Sequence, residues 1–497
     1  MSSLDVLPEV RSWLSRRHGH YIAGRPVPGS NAGDLSVINP ATEEVIASVA
    51  EASSVEVDAA VQSSWDAFRG IWATTLPAER GNILLKVAEC LQSHREELAQ
   101  LATLETGKTI SISRLFEIDQ SCAFLRYYAG AATRINGQTI SPSIPSISGE
   151  RYTAFTHREP VGPVAGIVPW NFPILIAVWK FASAIATGCT SIIKPSEFTP
   201  LTMLRIAELA TAAGLPPGVL NVVNGAGNVG NQLVSHPLVA KVSFTGSVGT
   251  GMNVARSAIE NNFVRTTLEL GGKNSVAFLR DIEPENAVAG IMEAGFVNQG
   301  QVCAAGERFF LHQSRLDDTL EALTKALDKM VIGDPLNETT QFGPLSNRSH
   351  LDRILGFFRK AKQEGDHIVY GGQSIPGPGY FVKPTVIRAT SKGSTLLQEE
   401  TFGPITTFLA YEDEDELISL MNGTSYGLAA SLWTNDLGKM YAMVPKIQAG
   451  TVWVNMHTYL DPAVPFGGMK SSGQGREFGD AFIADYTELK SVIVRHR

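Results

Sequence analysis

The stretch VGPVAGIVPW (Val161–Trp170) opens the run of sequence on which the fold turns. It is a short apolar segment ending in turn residues, and four more of the kind follow. They are TSIIKPS (Thr190–Ser196), LNVVNG (Leu220–Gly225), AKVSFTG (Ala240–Gly246) and TTLELGG (Thr266–Gly272). A strand covered on both faces reads as a continuous apolar run, because neither side of it meets water. Helix-length segments such as LTMLRIAELATAAG (Leu201–Gly214) lie between several of these runs. Buried strands alternating with helices predict a parallel sheet wound in right-handed crossovers. The outline is an α/β, Rossmann-like unit, although its first strand runs into PWNFP (Pro169–Pro173) where a GxGxxG turn would be usual.

Working outward, residues Val55 to Lys108 carry apolar positions spaced for one helix face. A second α/β section is expected from Lys273 to Lys470. It holds the helix-like LDDTLEALTKALDKM (Leu316–Met330) and strand-like YFVKPTVI (Tyr380–Ile387), ITTFLAYE (Ile405–Glu412) and GTVWVN (Gly450–Asn455). Two stretches fit neither section: the polar Gly137–Glu159, and the terminal LKSVIVRHR (Leu489–Arg497), whose alternation suits an edge strand. Exposed edges need covering, and a second copy of the chain can cover them. The expected division is therefore 1–136 with 160–270 as a cofactor unit and 271–470 as a catalytic unit. Residues 137–159 and 471–497 form an arm and terminal strand that make a homo-oligomer, a dimer or a tetramer.

The 497 residues are 44% hydrophobic with a formal net charge of −8, too long for one core and without the basic face nucleic acid requires. The N-terminus lacks an uninterrupted apolar stretch of the secretory kind. The most apolar run, Ile174–Cys189, carries Lys180 in its middle and is too short to span a bilayer, so no membrane partner is expected. Four cysteines (Cys90, Cys122, Cys189, Cys303) lie far apart without a CxxC pair, which speaks against disulfides and bound metal and for a reducing cytoplasm.

Three residues carry candidate chemistry. Cys303, in FVNQGQVCAAGER, is either a buried core cysteine or a nucleophile whose proton must be removed. Glu269, an acid inside the apolar TLELGG run, is either structurally paired or a general base with a raised pKa. Asn171 stands between two prolines, where it is either a turn residue or a fixed amide donor for charge developing on a carbonyl oxygen. FTGSVGTG (Phe244–Gly251) follows a strand and opens a helix, so its amides can approach a pyrophosphate. Lys194 and Glu197, in IIKPSE, end a strand at the height of a ribose, and Glu197 would repel a 2′-phosphate, favouring NAD over NADP.

PWNFP, IIKPSE, FTGSVGTG, LELGGKN, FVNQGQVCAAGER, EETFGP and PFGGMKSSGQGRE, in that order, resemble the aldehyde dehydrogenase superfamily over nearly the whole chain. The resemblance implies that Cys303 attacks an aldehyde and that Asn171 with the Cys303 amide holds the oxyanion. Hydride then passes to NAD, and Glu269 activates the water that hydrolyses the thioester. Lys180 and Glu477 match positions that relay protons from that base. Ile167, Val168, Pro169, Trp170, Lys194, Ser196, Glu197, Gly227, Phe244, Gly246, Ser247, Gly251, Leu270, Glu400 and Phe402 match cofactor contacts. The arm and the strand Thr487–Arg495 match the oligomerisation elements. No metal enters this chemistry.

Phe172, Leu175, Ile176, Trp179, Val297, Val302, Leu460 and Phe466 match the substrate tunnel, and all are apolar, which favours a hydrophobic aldehyde. Val297 and Leu460 leave an aromatic cage for a quaternary ammonium incomplete. Within the family, RRHGHYIAGRPVPG and the segment from GTVWVN to REFG resemble phenylacetaldehyde dehydrogenases. His457 is read as a loop residue rather than a proton carrier. The alternatives are a polar substrate such as betaine aldehyde or an amino-aldehyde, a secondary esterase activity, and a non-catalytic protein that kept the fold.

Overall fold

The computed structural model describes residues 6–30 and 33–496. Residues 1–5, 31–32 and 497 lie outside the description, and with them the ends of the N-terminal segment and of LKSVIVRHR. The five apolar runs form the strands Pro163–Ile167, Thr190–Lys194, Leu220–Val222, Lys241–Thr245 and Arg265–Glu269. All five pair in parallel, with Ser243 between Gly166 and Thr267. Three short antiparallel strands extend them to an eight-stranded sheet: Gly473–Gln474 at one edge, His20–Ile22 and Arg25–Val27 at the other.

The run Ile174–Cys189 becomes the helix Pro173–Thr187, every residue of which is buried. Proline suits its first turn, where an N–H would lack a partner. Gly188 ends it in the left-handed conformation at φ 93°, which a side chain would strain. The Val55–Lys108 stretch is helical in pieces, Ser54–Arg69, Pro77–Ser93 and Arg95–Thr106, interrupted at Gly70 and at the entry to Pro77. Left-handed Gly107 stops the last piece, so Lys108 lies beyond the helix. No helix among the described residues is long and apolar enough to cross a membrane.

A seven-stranded sheet makes the second unit, ordered His367–Tyr370, Thr385–Arg388, Ile405–Tyr411, Gly306–His312, Asn274–Phe278, Ala429–Trp433 and Thr451–Val454. Only its first strand is antiparallel. Within YFVKPTVI the strand begins at Thr385, because Pro384 has no N–H to give to a ladder. The two sheets meet at LELGGKN, where the strand ending at Glu269 is followed by the one beginning at Asn274. The joint puts Glu269 at the carboxyl end of the first sheet, where open α/β sheets bind their ligands.

Arg151–Pro160 pairs antiparallel with Thr487–His496 from Pro160↔Thr487 to Arg151↔His496, and Thr139–Ile140 completes a small sheet. The terminal strand is an edge strand, as its alternation suggested. Residues 471–497 do not act as a unit, however. Gly473–Gln474 joins the large sheet and Glu477 is fully buried, so of this stretch only the strand from Thr487 pairs with Arg151–Pro160.

Candidate active site

Three side chains from three different elements converge on one cavity of about 260 Å³: Asn171 from the turn before the buried helix, Glu269 from the strand end, and Cys303 from a loop. The Cys303 loop is tightly specified. Asn298 and Gln299 ahead of it take left-handed φ values of 51° and 57°, a strain that persists only where surroundings impose it. Asn274 Nδ2 donates to the carbonyls of Cys303 and Ala305, both at 2.8 Å. Asn171 Nδ2 donates to the Gln301 carbonyl at 3.0 Å. That bond uses one of the two amide hydrogens and fixes the direction of the other.

Burial pushes the Cys303 thiol up to about 12, with the Glu269 and Glu400 carboxylates adding to it, so the resting group is a thiol and needs a base. Burial likewise raises the Glu269 carboxyl well above its ordinary value; Glu477 pushes the same way and Lys180 opposes. Both Glu269 oxygens are buried without a hydrogen-bond partner among the described residues, so the carboxyl is not held in a structural ion pair. Behind it, Lys180 Nζ reaches Glu477 Oε1 and Ser243 Oγ, each at 3.1 Å, and all three are buried. Lys180 and Glu477 therefore line neither cavity and act on Glu269 through space.

A second cavity of about 610 Å³ adjoins the first and shares Pro169, Trp170, Thr245, Gly246 and Ser247 with it. Ile167, Val168, Lys194, Ser196, Glu197, Gly227 and Phe244 line it as expected. The helices Gly227–Val234 and Val248–Asn262 begin at its wall, the latter capped by Ser247, whose Oγ accepts from the Thr250 N–H. Helix starts offer free N–H groups and a partial positive charge to a diphosphate. Thr245 Oγ1 is buried there without a partner, and Glu197, half exposed, stands 3.8 Å from Lys194 Nζ. These features fit a dinucleotide.

Leu270, Glu400 and Phe402 complete the first cavity, Glu400 Oε1 accepting from the Gly272 N–H at 2.8 Å. Gly251 lines neither cavity: a side chain there would strike Leu270, so it serves close helix–strand packing rather than ligand contact. Of the expected tunnel residues only Ile176 reaches the first cavity. Phe172, Leu175, Trp179, Val302 and Phe466 join it in one buried apolar cluster, against which Cys303 and Leu460 pack. Val297 is half-buried at the start of the turn that precedes Cys303.

The sequence reading missed several residues. His350, which lines the first cavity, has its pKa lowered to about 4 by burial; its Nε2 donates to the Phe402 carbonyl at 2.8 Å. The Glu307 carboxylate accepts from the Thr401 and Phe402 N–H groups and pairs with buried Lys273, fixing Phe402 at φ 56°. Phe124 and Phe478 pack on Trp179 with ring centres 5.6 Å and 4.6 Å away. His457 lies in a loop, as the sequence suggested, and is buried there. It is 2% exposed, with Nε2 2.7 Å from the Ala304 carbonyl and Nδ1 2.9 Å from Ser431 Oγ. The carbonyl can only accept, so Nε2 carries the proton and the ring supports the Cys303 loop.

Comparison with known proteins agrees with this geometry. The profile of the aldehyde dehydrogenase family matches residues 27–492. The chain is 42% identical to a phenylacetaldehyde dehydrogenase of Pseudomonas fluorescens and 40% identical to a betaine aldehyde dehydrogenase of Cereibacter sphaeroides, in each case over 96% of both chains. The NAD+ complex of an aldehyde dehydrogenase from Bacillus cereus superposes with a TM-score of 0.96 at 39% identity, covering 100% of both chains. The chain belongs to the aldehyde dehydrogenase family, and its fold is that of the family.

Proposed function

We propose that the protein oxidises a hydrophobic aldehyde of the arylalkyl type, such as phenylacetaldehyde, to its carboxylic acid with NAD, through a thioester on Cys303. The observation that carries this reading is the convergence of Asn171, Glu269 and Cys303 on one cavity that opens into a dinucleotide-shaped cleft. NAD, when bound, accepts the hydride; Ser247 and the two helix starts would hold its diphosphate, Glu197 a ribose and Glu400 the other. Every remaining task falls to the chain. A base removes the Cys303 proton, and the thiolate attacks the carbonyl carbon. The free Asn171 amide hydrogen and the Cys303 N–H receive the charge that develops on oxygen. Once the acyl group is on sulfur, Glu269 takes a proton from water, which attacks the thioester and frees the acid. Lys180 and Glu477 tune Glu269 and lead its proton away.

The apolar side chains of Phe172, Leu175, Trp179, Val302 and Phe466, gathered in one buried cluster against which Cys303 packs, support an aromatic or aliphatic substrate. Glu197 supports NAD over NADP, because a 2′-phosphate would face its carboxylate. The open edge of Thr487–His496 supports a homo-oligomer, and the four unpaired, widely separated cysteines support a reducing cytoplasm. A cofactor unit centred on the eight-stranded sheet, a catalytic unit on the seven-stranded sheet and an arm on the Arg151–Pro160 sheet complete this reading. The test is kcat/KM across phenylacetaldehyde, hexanal, betaine aldehyde and succinate semialdehyde with each coenzyme. Preference for phenylacetaldehyde with NAD is expected. Preference for betaine aldehyde or the semialdehyde would overturn the substrate assignment while leaving the thioester chemistry in place.

A further inference from the structure

Two buried ionic side chains that no step above uses sit behind the turn bearing Asn171. Lys108 is 1% exposed and Glu117 0%, and they form an ion pair. Lys108 follows left-handed Gly107 at the end of one helix, and Glu117 lies in the π-helical stretch Ser113–Asp119. Such wide turns cost regularity and occur where a side chain must be aimed at a particular place.

The remaining bonds of both groups go to opposite ends of one turn. Lys108 Nζ donates to the backbone carbonyl of Asn171 at 2.6 Å and stands 4.1 Å from the centre of the Phe172 ring. Glu117 Oε2 accepts from the N–H groups of Ile174 and Leu175 at 3.1 Å and 2.9 Å. Between those ends, Pro173 has no N–H, and Phe172 departs from helical geometry at φ −138°, ψ 70°. Among the described residues, the Asn171 carbonyl accepts otherwise from Asn298 Nδ2 alone, at a long 3.4 Å. The ion pair thus holds both ends of the turn, beside the Ile176 N–H bond to the Phe172 carbonyl at 3.0 Å and the Asn171 Nδ2 bond to Gln301.

Stability alone does not explain such a pair. Desolvating two charges offsets most of their attraction, and neutral side chains of similar volume commonly fill such a site as stably. What neutral side chains would not supply is a donor fixed on the Asn171 carbonyl together with an acceptor fixed on the next helix turn.

We propose that Lys108 and Glu117 are positioning residues for acyl formation, holding the PWNFP turn so that the second amide hydrogen of Asn171 meets the aldehyde oxygen at Cys303. The proposal rests on the reading of Asn171 as an oxyanion donor.

The experiment compares the full-length wild type with Asn171→Ala, with Lys108→Met/Glu117→Gln, which leaves no unpaired buried charge, and with the triple variant. Thermal melting and NAD binding report folding; single-turnover NADH formation from phenylacetaldehyde reports acyl formation. The double variant is expected to melt and bind NAD like the wild type yet form NADH about 10²-fold more slowly, as misplacement by an ångström can cause. The triple variant should be no slower than Asn171→Ala by more than about twofold, because groups acting as a unit do not add. A double variant within about twofold of wild type overturns the proposal, as does a loss that adds in full to that of Asn171→Ala. Should the double variant fail to fold, Glu117→Asp, which keeps both charges and retracts the carboxylate, must slow acyl formation in the same way, and wild-type speed contradicts the proposal. An unimpaired Asn171→Ala would remove the oxyanion reading itself, whereas an impaired Asn171→Ala beside an unimpaired double variant removes only the role of the pair.

Discussion

A general base is useful only in its deprotonated form, and Glu269 holds its proton more tightly than an ordinary carboxyl because it is buried and because Glu477 is close. Thioester hydrolysis should therefore fall as pH is lowered through a range well above the ordinary value of 4.5 for a glutamate. Glu477→Gln removes the neighbouring negative charge, lowers the pKa of Glu269 and should move this acid limb toward lower pH. A limb that stays in place in rapid-quench measurements of deacylation would contradict the coupling. The sequence singled out Cys303, Glu269 and Asn171 by residue type and setting but left each a structural alternative; the resemblance assigned their roles, and the structure brings the three to one cavity. Lys108, Glu117, Lys273 and Glu307 were not singled out. A charged side chain reads as solvated until the fold buries it, and the partners here are 9 and 34 residues apart, with no local pattern to pair them. His457 does lie in a loop, but its burial was not legible, because its partners Ala304 and Ser431 are distant in sequence.

At the scale of elements, each functional group is held by the end of a strand or helix rather than by its middle. Glu269 closes a strand, Asn171 precedes a helix, and two helices begin at the wall of the second cavity, where backbone donors lack partners of their own. The strands were legible because continuous apolar runs ending in Gly or Pro have few other readings. The apolar residues expected around the substrate were legible only as a set, and of them Ile176 alone reaches the first cavity while the rest lie in the buried cluster or beside it. The terminal strand Thr487–His496 makes a prediction of its own. One side pairs with Arg151–Pro160 and the other is open, with Ile493 70% exposed. Sedimentation velocity should find the protein larger than its 53.5 kDa chain, and Ile493→Lys should shift it toward smaller species. A wild type that sediments as a monomer would contradict the assignment of this edge to a subunit contact.

At the scale of the whole molecule, two largely parallel sheets meet at LELGGKN, so that Glu269, the Cys303 loop and the two adjoining cavities come together at one short joint. The alternation of strands and helices announced both sheets. It did not announce that Gly473–Gln474 would return to the first of them, carrying Glu477 behind Glu269, because a two-residue strand leaves no periodicity to read. Three buried lysine–glutamate pairs then stiffen the cleft: Lys108–Glu117 behind Asn171, Lys180–Glu477 behind Glu269, and Lys273–Glu307 behind Phe402. Charge is used here where direction matters, at sites that hydrophobic packing would fill without aiming anything. The most direct test of the central claim uses Glu269→Gln, which should form the thioester and fail to hydrolyse it. Incubated with phenylacetaldehyde and NAD, then quenched in acid and mapped by mass spectrometry, it should carry one acyl group per chain on the Cys303 peptide, with NADH released in a matching burst. Steady NADH formation without an adduct, or an adduct on Cys90, Cys122 or Cys189, would contradict the account.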